Sequence, residues 1–335
     1  MPEITLEQII QEAPDNFVIQ NALIKCYEVV SNHKKIVCSV SGGGGDSDVM
    51  VDMLLRCGAG DKTDFVFFNT GLEYQATLEH IDFLEKKYGI KFLRERPIKS
   101  IPTSCREYGI PFWSKYASDM IRRLQMHNFT WVDKPFSELY KEYPTCKTAL
   151  KWWCNVHDGN TTQWSINRSP YLKEFMVANP PNFKISGMCC KYAKKDPSHL
   201  VIKNGKYDLS CVGIRKSEGG IRSSAYKNCL TEQSYAGVDV FRPLFWLRDS
   251  DKKEYCCYYH VEHSRCYTEY GLIRTGCVGC PFGKKFEDEL KILEEYEPKL
   301  YKASVGVFGK SYDYTRRYLE FREEMKKRKH DTQMG

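Results

Sequence analysis

Two groups of residues in this chain have the types and spacing to do chemistry. The first is Ser41-Gly42-Gly43-Gly44-Gly45-Asp46-Ser47, directly after the apolar run Ile36-Val37-Cys38-Ser39-Val40. The second is a set of four cysteines in two close pairs, Cys189-Cys190 and Cys277-x-x-Cys280. A glycine turn between a strand and a helix start makes an anion site. The first N–H groups of a helix are unpaired, the macrodipole favours negative charge there, and glycines let phosphate oxygens approach the backbone without Cβ clashes. Asp46 can cap the helix or hold Mg²⁺, and the Ser41 and Ser47 hydroxyls can donate to phosphate. No Lys-Ser or Lys-Thr pair follows the glycines, so the loop is not a Walker A motif. Four thiolates suit a [4Fe–4S] cluster, or a structural Zn²⁺ in a closed tetrahedral site. Adjacent cysteines fit one small ion awkwardly, which favours the larger cluster. Cys266 is a further candidate ligand or persulfide carrier, while Cys256 and Cys257 read equally as core residues.

Such residues need elements to hold them. Asp48 to Leu55, after the glycines, has the apolar spacing of an amphipathic helix. Lys34 to Val40 is a first strand, Asp64 to Asn69 a second ending at Thr70-Gly71, and Lys91 to Arg96 a third closed by Pro97. Helices are expected over Ile9 to Val30 and over Tyr74 to Lys87. Apolar strands alternating with helices predict a parallel sheet covered on both faces, whose ligands sit at the carboxyl ends of the strands. The glycine turn and Asn69-Thr70-Gly71 both occupy that edge. Further strands are expected at Phe183 to Ser186 and Tyr207 to Ile214, and a terminal charged helix from Tyr312 to about Lys329. Arg215 and Arg222 in the intervening Gly213 to Ser223 segment offer forks for anions.

Composition bounds the rest. The chain has 335 residues, 42% of them hydrophobic, a formal net charge of +7 and 15 cysteines. That length is far beyond disulfide-stapled scaffolds, and Met1-Pro2-Glu3-Ile4-Thr5 lacks the basic start and apolar run of a signal peptide. A reducing, cytoplasmic setting without a membrane partner is therefore expected. The moderate positive charge suits an anionic ligand and permits nucleic acid. Between Ile110 and Asn182, Trp113, Trp131, Trp152, Trp153 and Trp164 alternate with lysines and arginines. The mixture suits a surface that stacks on bases and contacts phosphates, or else a packed helical insertion.

Taken together, the motifs resemble those of the phosphoadenosine-phosphosulfate reductase family, within the adenine-nucleotide α-hydrolase-like ATP pyrophosphatases. Ser41-Gly42-Gly43 with Asp46-Ser47 resembles the family's pyrophosphate loop, with one residue more than its usual Ser-Gly-Gly-x-Asp-Ser. Asn69-Thr70-Gly71-Leu72-Glu73-Tyr74 with Thr77 resembles the second-strand motif, and Gly213-x-Arg215-x-x-Glu218-x-x-x-Arg222 lies near the arginine signature. Pro243-Leu244 with Trp246 and Gly276-Cys277-x-x-Cys280-Pro281 resemble the C-terminal landmarks.

The resemblance implies a Rossmann-like three-layer α/β sandwich with a mainly parallel sheet, a helical insertion and a C-terminal cysteine-containing helical region. The expected parts are a helical segment 1–33, a nucleotide-binding domain 34–240 with an insertion at about 110–182, and a C-terminal region 241–335. The tandem cysteines with C-x-x-C resemble the [4Fe–4S] ligands of some sulfonucleotide reductases. The chain closes at His330 to Gly335 without the Glu-Cys-Gly-Leu-His-like tail that carries the reductases' nucleophile.

The expected activity is thus an ATP pyrophosphatase coupled to iron–sulfur-dependent sulfur transfer, with Mg²⁺-ATP on Ser41 to Ser47 and Asn69 to Gly71. Asp46, Arg215 and Arg222 would be the catalytic groups. A nucleic-acid acceptor (DNA or tRNA) and a sulfur-donor or thiol-reductant protein would be the partners. Reduction of adenylyl sulfate or its 3′-phosphorylated form is one alternative, and a non-catalytic nucleotide- or nucleic-acid-binding subunit another.

Overall fold

The computed structural model describes residues 4–42, 44–156, 164–219, 224–282 and 286–334. The chain divides into two compact units, the first formed by residues up to Ile98 together with Ala193–Val278, the second by Lys99–Tyr192 with the chain from Gly279 onward. Residues 241–278 thus belong to the unit that carries the glycine loop.

The first unit is built on a six-stranded sheet in the order β3-β2-β1-β4-β6-β5. Its strands are β1 (Ile36–Val40), β2 (Thr63–Phe68), β3 (Phe92–Glu95), β4 (Leu209–Val212), β5 (Leu230–Thr231) and β6 (Asp239–Phe241), and all pairings are parallel except β5 with β6. β2 and β3 lie on one side of β1 and β4 on the other, so the strand order reverses beside β1. In open α/β sheets the crevice at such a reversal, beyond the strand carboxyl ends, is where ligands bind. The loops after β1 and β4 are the glycine loop and Gly213 to Arg215.

The helix Asp46–Arg56 that follows the glycines is not amphipathic as expected. Every residue from Ser47 to Leu54 is buried, because the helix lies between β1 and the flanking helices Phe17–Ser31 and Asp249–Tyr259. The continuous N-terminal helix expected over Ile9 to Val30 is two, Leu6–Gln11 and Phe17–Ser31. Pro14 lies in the break, lacking the N–H a helix interior needs, and Asn16 caps the second helix by accepting from the Val18 and Ile19 N–H groups at 3.0 and 3.2 Å.

The second unit is helical. Phe183 to Ser186 is not a sheet strand but makes a single parallel bridge, Ile185 to Ile110. The terminal helix is longer than expected, Pro298–Met334, and contributes Tyr314 and Tyr318 to this unit's core. Three tryptophans of the aromatic and basic segment are in that core, Trp131, Trp152 and Trp153. Trp131 and Trp153 meet Phe129 edge-on. Trp113 donates its indole N–H to Ser169 at 2.6 Å. Of the five, only Trp164 is exposed, so the stacking surface the segment suggested is replaced by packing: burying large aromatic area outweighs displaying it to solvent. No helix among the described residues is long and apolar enough to cross a membrane.

Candidate active site

The glycine loop is shaped by left-handed backbone. Gly42, Gly44 and Gly45 have φ of +73°, +102° and +71°, values an L side chain adopts at a cost. At Gly42 a Cβ would also lie 2.7 Å from the Phe67 ring and 2.9 Å from the Thr77 methyl. The loop therefore presents backbone where any other residue would present side chain, which is what close phosphate approach requires. Ser41 and Ser47 close it from within, their hydroxyls 2.8 Å apart and the Ser41 N–H donating to Ser47 Oγ at 3.2 Å. Gly43, expected on phosphate, lies outside the described residues, as does Arg222.

Asp46 opens the following helix and is a meeting point of two cations. Arg215 donates Nε to Asp46 Oδ1 at 2.8 Å, and Lys252 donates Nζ to the same oxygen at 3.1 Å. Arg215 is 6% exposed, and its Nη1 donates to Asp249 Oδ1 and Ser217 Oγ, each at 2.8 Å. Burial disfavours the guanidinium, but Asp46 and then Asp249 more than offset it and raise its pKa. Arg215 thus stands at the loop, as anticipated, with its donors on carboxylates. Lys252, which the sequence reading missed, follows Asp249-Ser250-Asp251 in a charged run with no feature to mark it.

Asn69-Thr70-Gly71 is a braced turn after β2. Asn69 Oδ1 accepts from the Gly71 N–H at 2.9 Å, and Thr70 donates its hydroxyl to Glu73 at 2.5 Å. Burial raises the Glu73 pKa against the lowering effects of Lys194 and the Thr70 hydrogen bonds. The turn is completed by the Val278 N–H, which donates to the Leu72 carbonyl at 3.1 Å.

Beneath the loop is a carboxylate that sequence reading also missed. Asp48 is completely buried, and its Oδ2 is 3.0 Å from His80 Nε2 and 2.9 Å from His263 Nδ1. Its Oδ1 has no partner among the described residues. A Cβ on Gly44 would lie 2.8 Å from Asp48 Oδ2, so this buried carboxylate lies directly against the glycine loop.

The expected cluster cysteines fall in both units. Cys189, Cys190 and Cys280 belong to the second, and Cys277 to the first, adjacent to the Val278 that bonds the Asn69 turn. In the second unit Cys189 is buried and hydrogen-bonds the thiols of Cys105 and Cys190. The Cys105 bond raises its pKa above the ordinary thiol range, the Cys190 bond lowers it, and burial and the nearby Cys105 and Cys280 sulfurs add to the rise. Their sulfurs are soft donors, the type that suits iron or zinc, and of these Cys189 and Cys105 are buried while Cys190 and Cys280 are partly exposed. Cys105, on the helix Ile101–Tyr108, had no motif to single it out. Among the described residues no three or more His, Cys, Asp or Glu side chains stand together as a ready metal site. Cys266, proposed as a substitute ligand or carrier, is fully buried and meets the Thr77 hydroxyl at 3.7 Å.

Residues 35–144 match the family model described as phosphoadenosine phosphosulfate reductase domain. An uncharacterized protein of Methanocaldococcus jannaschii is 40% identical over 148 residues, 44% of this chain and 29% of the relative. The chain thus spans about three tenths of that relative's length. Among solved structures, phosphoadenylyl-sulfate reductase from Candida auris in its phosphate complex is 11% identical with a TM-score of 0.44, covering 81% of this chain and 93% of its own. The U34-tRNA thiolase NcsA from Methanococcus maripaludis with its [4Fe-4S] cluster is 14% identical with a TM-score of 0.37, covering 91% of this chain and 80% of its own.

Proposed function

We propose that this chain, whose residues 35–144 match the phosphoadenosine phosphosulfate reductase domain model, cleaves ATP between the α- and β-phosphates and couples the adenylation to sulfur transfer. The observation that carries the reading is Asp46, clasped by Arg215 and Lys252 at the end of a left-handed glycine loop. Two cations and a carboxylate beside unpaired helix N–H groups suit a charge-dense polyphosphate better than a single phosphate. Mg²⁺ arriving with the nucleotide would supply Lewis-acid charge, and Asp46 would be the carboxylate that holds it.

The chain's own residues then divide the work. The glycine loop binds the β- and γ-phosphates through backbone N–H groups, and Ser41 and Ser47 exchange their mutual hydrogen bond for phosphate oxygens. Arg215 and Lys252, the cations that meet at Asp46, would offset the charge that develops on departing pyrophosphate. The braced turn at Asn69 to Gly71 orients the nucleoside end.

Purified protein given Mg-ATP and candidate acceptors, DNA and tRNA among them, is expected to form AMP and pyrophosphate in equal amounts. Sulfite release from adenylyl sulfate or its 3′-phosphorylated form, with no pyrophosphate from ATP, would replace this reading by the reductase.

The cofactor belongs to the same proposal. Cys189, Cys190, Cys277 and Cys280 would hold a [4Fe–4S] cluster, which supplies thiophilic iron and electron capacity when bound. Anaerobically prepared protein is expected to contain about four irons and four sulfides per chain, and Cys189→Ser to lose most of both. Stoichiometric zinc with no iron, measured by elemental analysis, would assign the cysteines to a structural site instead.

A further inference from the structure

The nucleotide reading leaves three connected side chains of the first unit without a task. Cys256, on the helix Asp249–Tyr259, places its Sγ 3.5 Å from His263 Nε2. The other ring nitrogen, Nδ1, is 2.9 Å from Asp48 Oδ2. A carboxylate only accepts, so Asp48 fixes a proton on Nδ1 and turns Nε2 toward the sulfur. Thiol, imidazole and orienting carboxylate in this order form the arrangement that activates a nucleophilic cysteine.

Two further observations tie the three to a ligand site. Asp48 is completely buried with Oδ1 unpartnered among the described residues. The Gly45 nitrogen lies 3.3 Å from His263 Nδ1, whose proton is committed to Asp48, so the imidazole adjoins the glycine loop itself. Cys256 is half-buried, whereas Cys266 is sealed in the core. Burial works against a charged His263, yet hydrogen bonds to Asp48 and then Cys256 outweigh it and raise its pKa to about 9. A raised His263 pKa favours a proton on Nε2, the nitrogen that faces the Cys256 sulfur at 3.5 Å.

We propose that Cys256 is a nucleophilic thiol that accepts a sulfane sulfur from a persulfide donor beside the nucleotide loop. The assignment rests on the sulfur-transfer reading for the fate of that sulfur, but not for the activation of the thiol. In the step, the Cys256 thiolate attacks the outer sulfur of R–S–SH. A bond forms between Sγ and that sulfur as the donor's S–S bond breaks. The electron pair leaves with R–S⁻, which takes the proton held on His263 Nε2. Cys256 ends as Cys–S–SH and the donor as R–SH, with no net oxidation.

The test uses the full chain, prepared anaerobically and exposed to glutathione persulfide, with peptides then read by mass spectrometry. One added sulfur is expected on Cys256, and Cys256→Ser should remove it. The exposed Cys257 next to it is an internal control. At neutral pH iodoacetamide should alkylate Cys256 about tenfold faster than Cys257, and His263→Gln should erase the difference. Equal rates at the two cysteines in the unmodified chain, which need no variant to fold, would overturn the assignment. So would added sulfur found only on other cysteines. Pyrophosphate from ATP is measured in the same preparation. Sulfur on Cys256 without pyrophosphate would keep this assignment and remove the ATP reading.

Discussion

Alanine at Gly42 is expected to weaken Mg-ATP binding by at least about 100-fold and to destabilise the fold by about 2–4 kcal/mol, combining left-handed backbone strain with core overpacking. Both effects come from one added methyl. Gly42 has φ of +73°, and its Cβ would meet the Phe67 ring and the Thr77 methyl at 2.7 and 2.9 Å. Phe67 is a buried residue of β2 and Thr77 is in the helix Gln75–Tyr88, so neither can give way without shifting the loop. Gly89 provides the control. It also has positive φ, +66°, but a Cβ there meets nothing within 4 Å. Gly89→Ala should therefore show a backbone penalty of about 1 kcal/mol and bind nucleotide normally. Calorimetric titration with Mg-ATP and urea unfolding of both variants decide the matter. Wild-type affinity in Gly42→Ala would mean that the loop is not the nucleotide cradle.

The second large effect is expected from Asp48→Asn. This buried carboxylate lies 3.0 Å from His80 and 2.9 Å from His263, and removing its charge leaves the His263 imidazolium without its counter-ion, a loss of about 3–5 kcal/mol. The variant should also flatten part of the pH profile. The folded pKa of His263 is about 9, above an unfolded value of about 6.5, so its stabilisation is complete below about pH 6.5 and is lost as pH rises through 9. For the wild type that is up to about 3 kcal/mol disappearing between about pH 6.5 and pH 9. In Asp48→Asn the His263 pKa should fall back toward 6.5 and the decline in that window should vanish. Urea midpoints across the range, with the His263 ring followed by NMR, measure both. An unchanged ring titration in the variant would show that Asp48 does not hold the imidazolium.

Much of the first unit was legible in the chain because its signals are local. β1, β2 and β3 are short apolar runs bounded by turn residues, and a buried parallel strand needs little more than that. The loop after β1 was readable because left-handed backbone and close anion approach both select glycine. Asn69-Thr70-Gly71 was likewise carried by an Asx turn, in which a side chain bonds the backbone two residues on. The iron–sulfur candidates could be named from spacing, since cysteines adjacent in the chain or with two residues between them are neighbours whatever the fold.

Everything that depends on a distant partner was decided by tertiary structure. Asp46 and Arg215 are 169 residues apart, Lys252 reaches Asp46 across 206, and His263 reaches Asp48 across 215. No periodicity in a helix start distinguishes the cation-bound Asp46 from the buried Asp48 two positions later. The strand order that brings β4 beside β1 makes that distinction. The same holds for Cys105 beside Cys189 and for Cys256 on His263, where the sequence offered only thiols. The tryptophans show the limit from the other side: mixed aromatic and basic residues look alike in sequence whether they face bases or each other. Trp131 and Trp153 are interior because the second unit had a helical core to fill, and burying large apolar area there yields more free energy than exposing it.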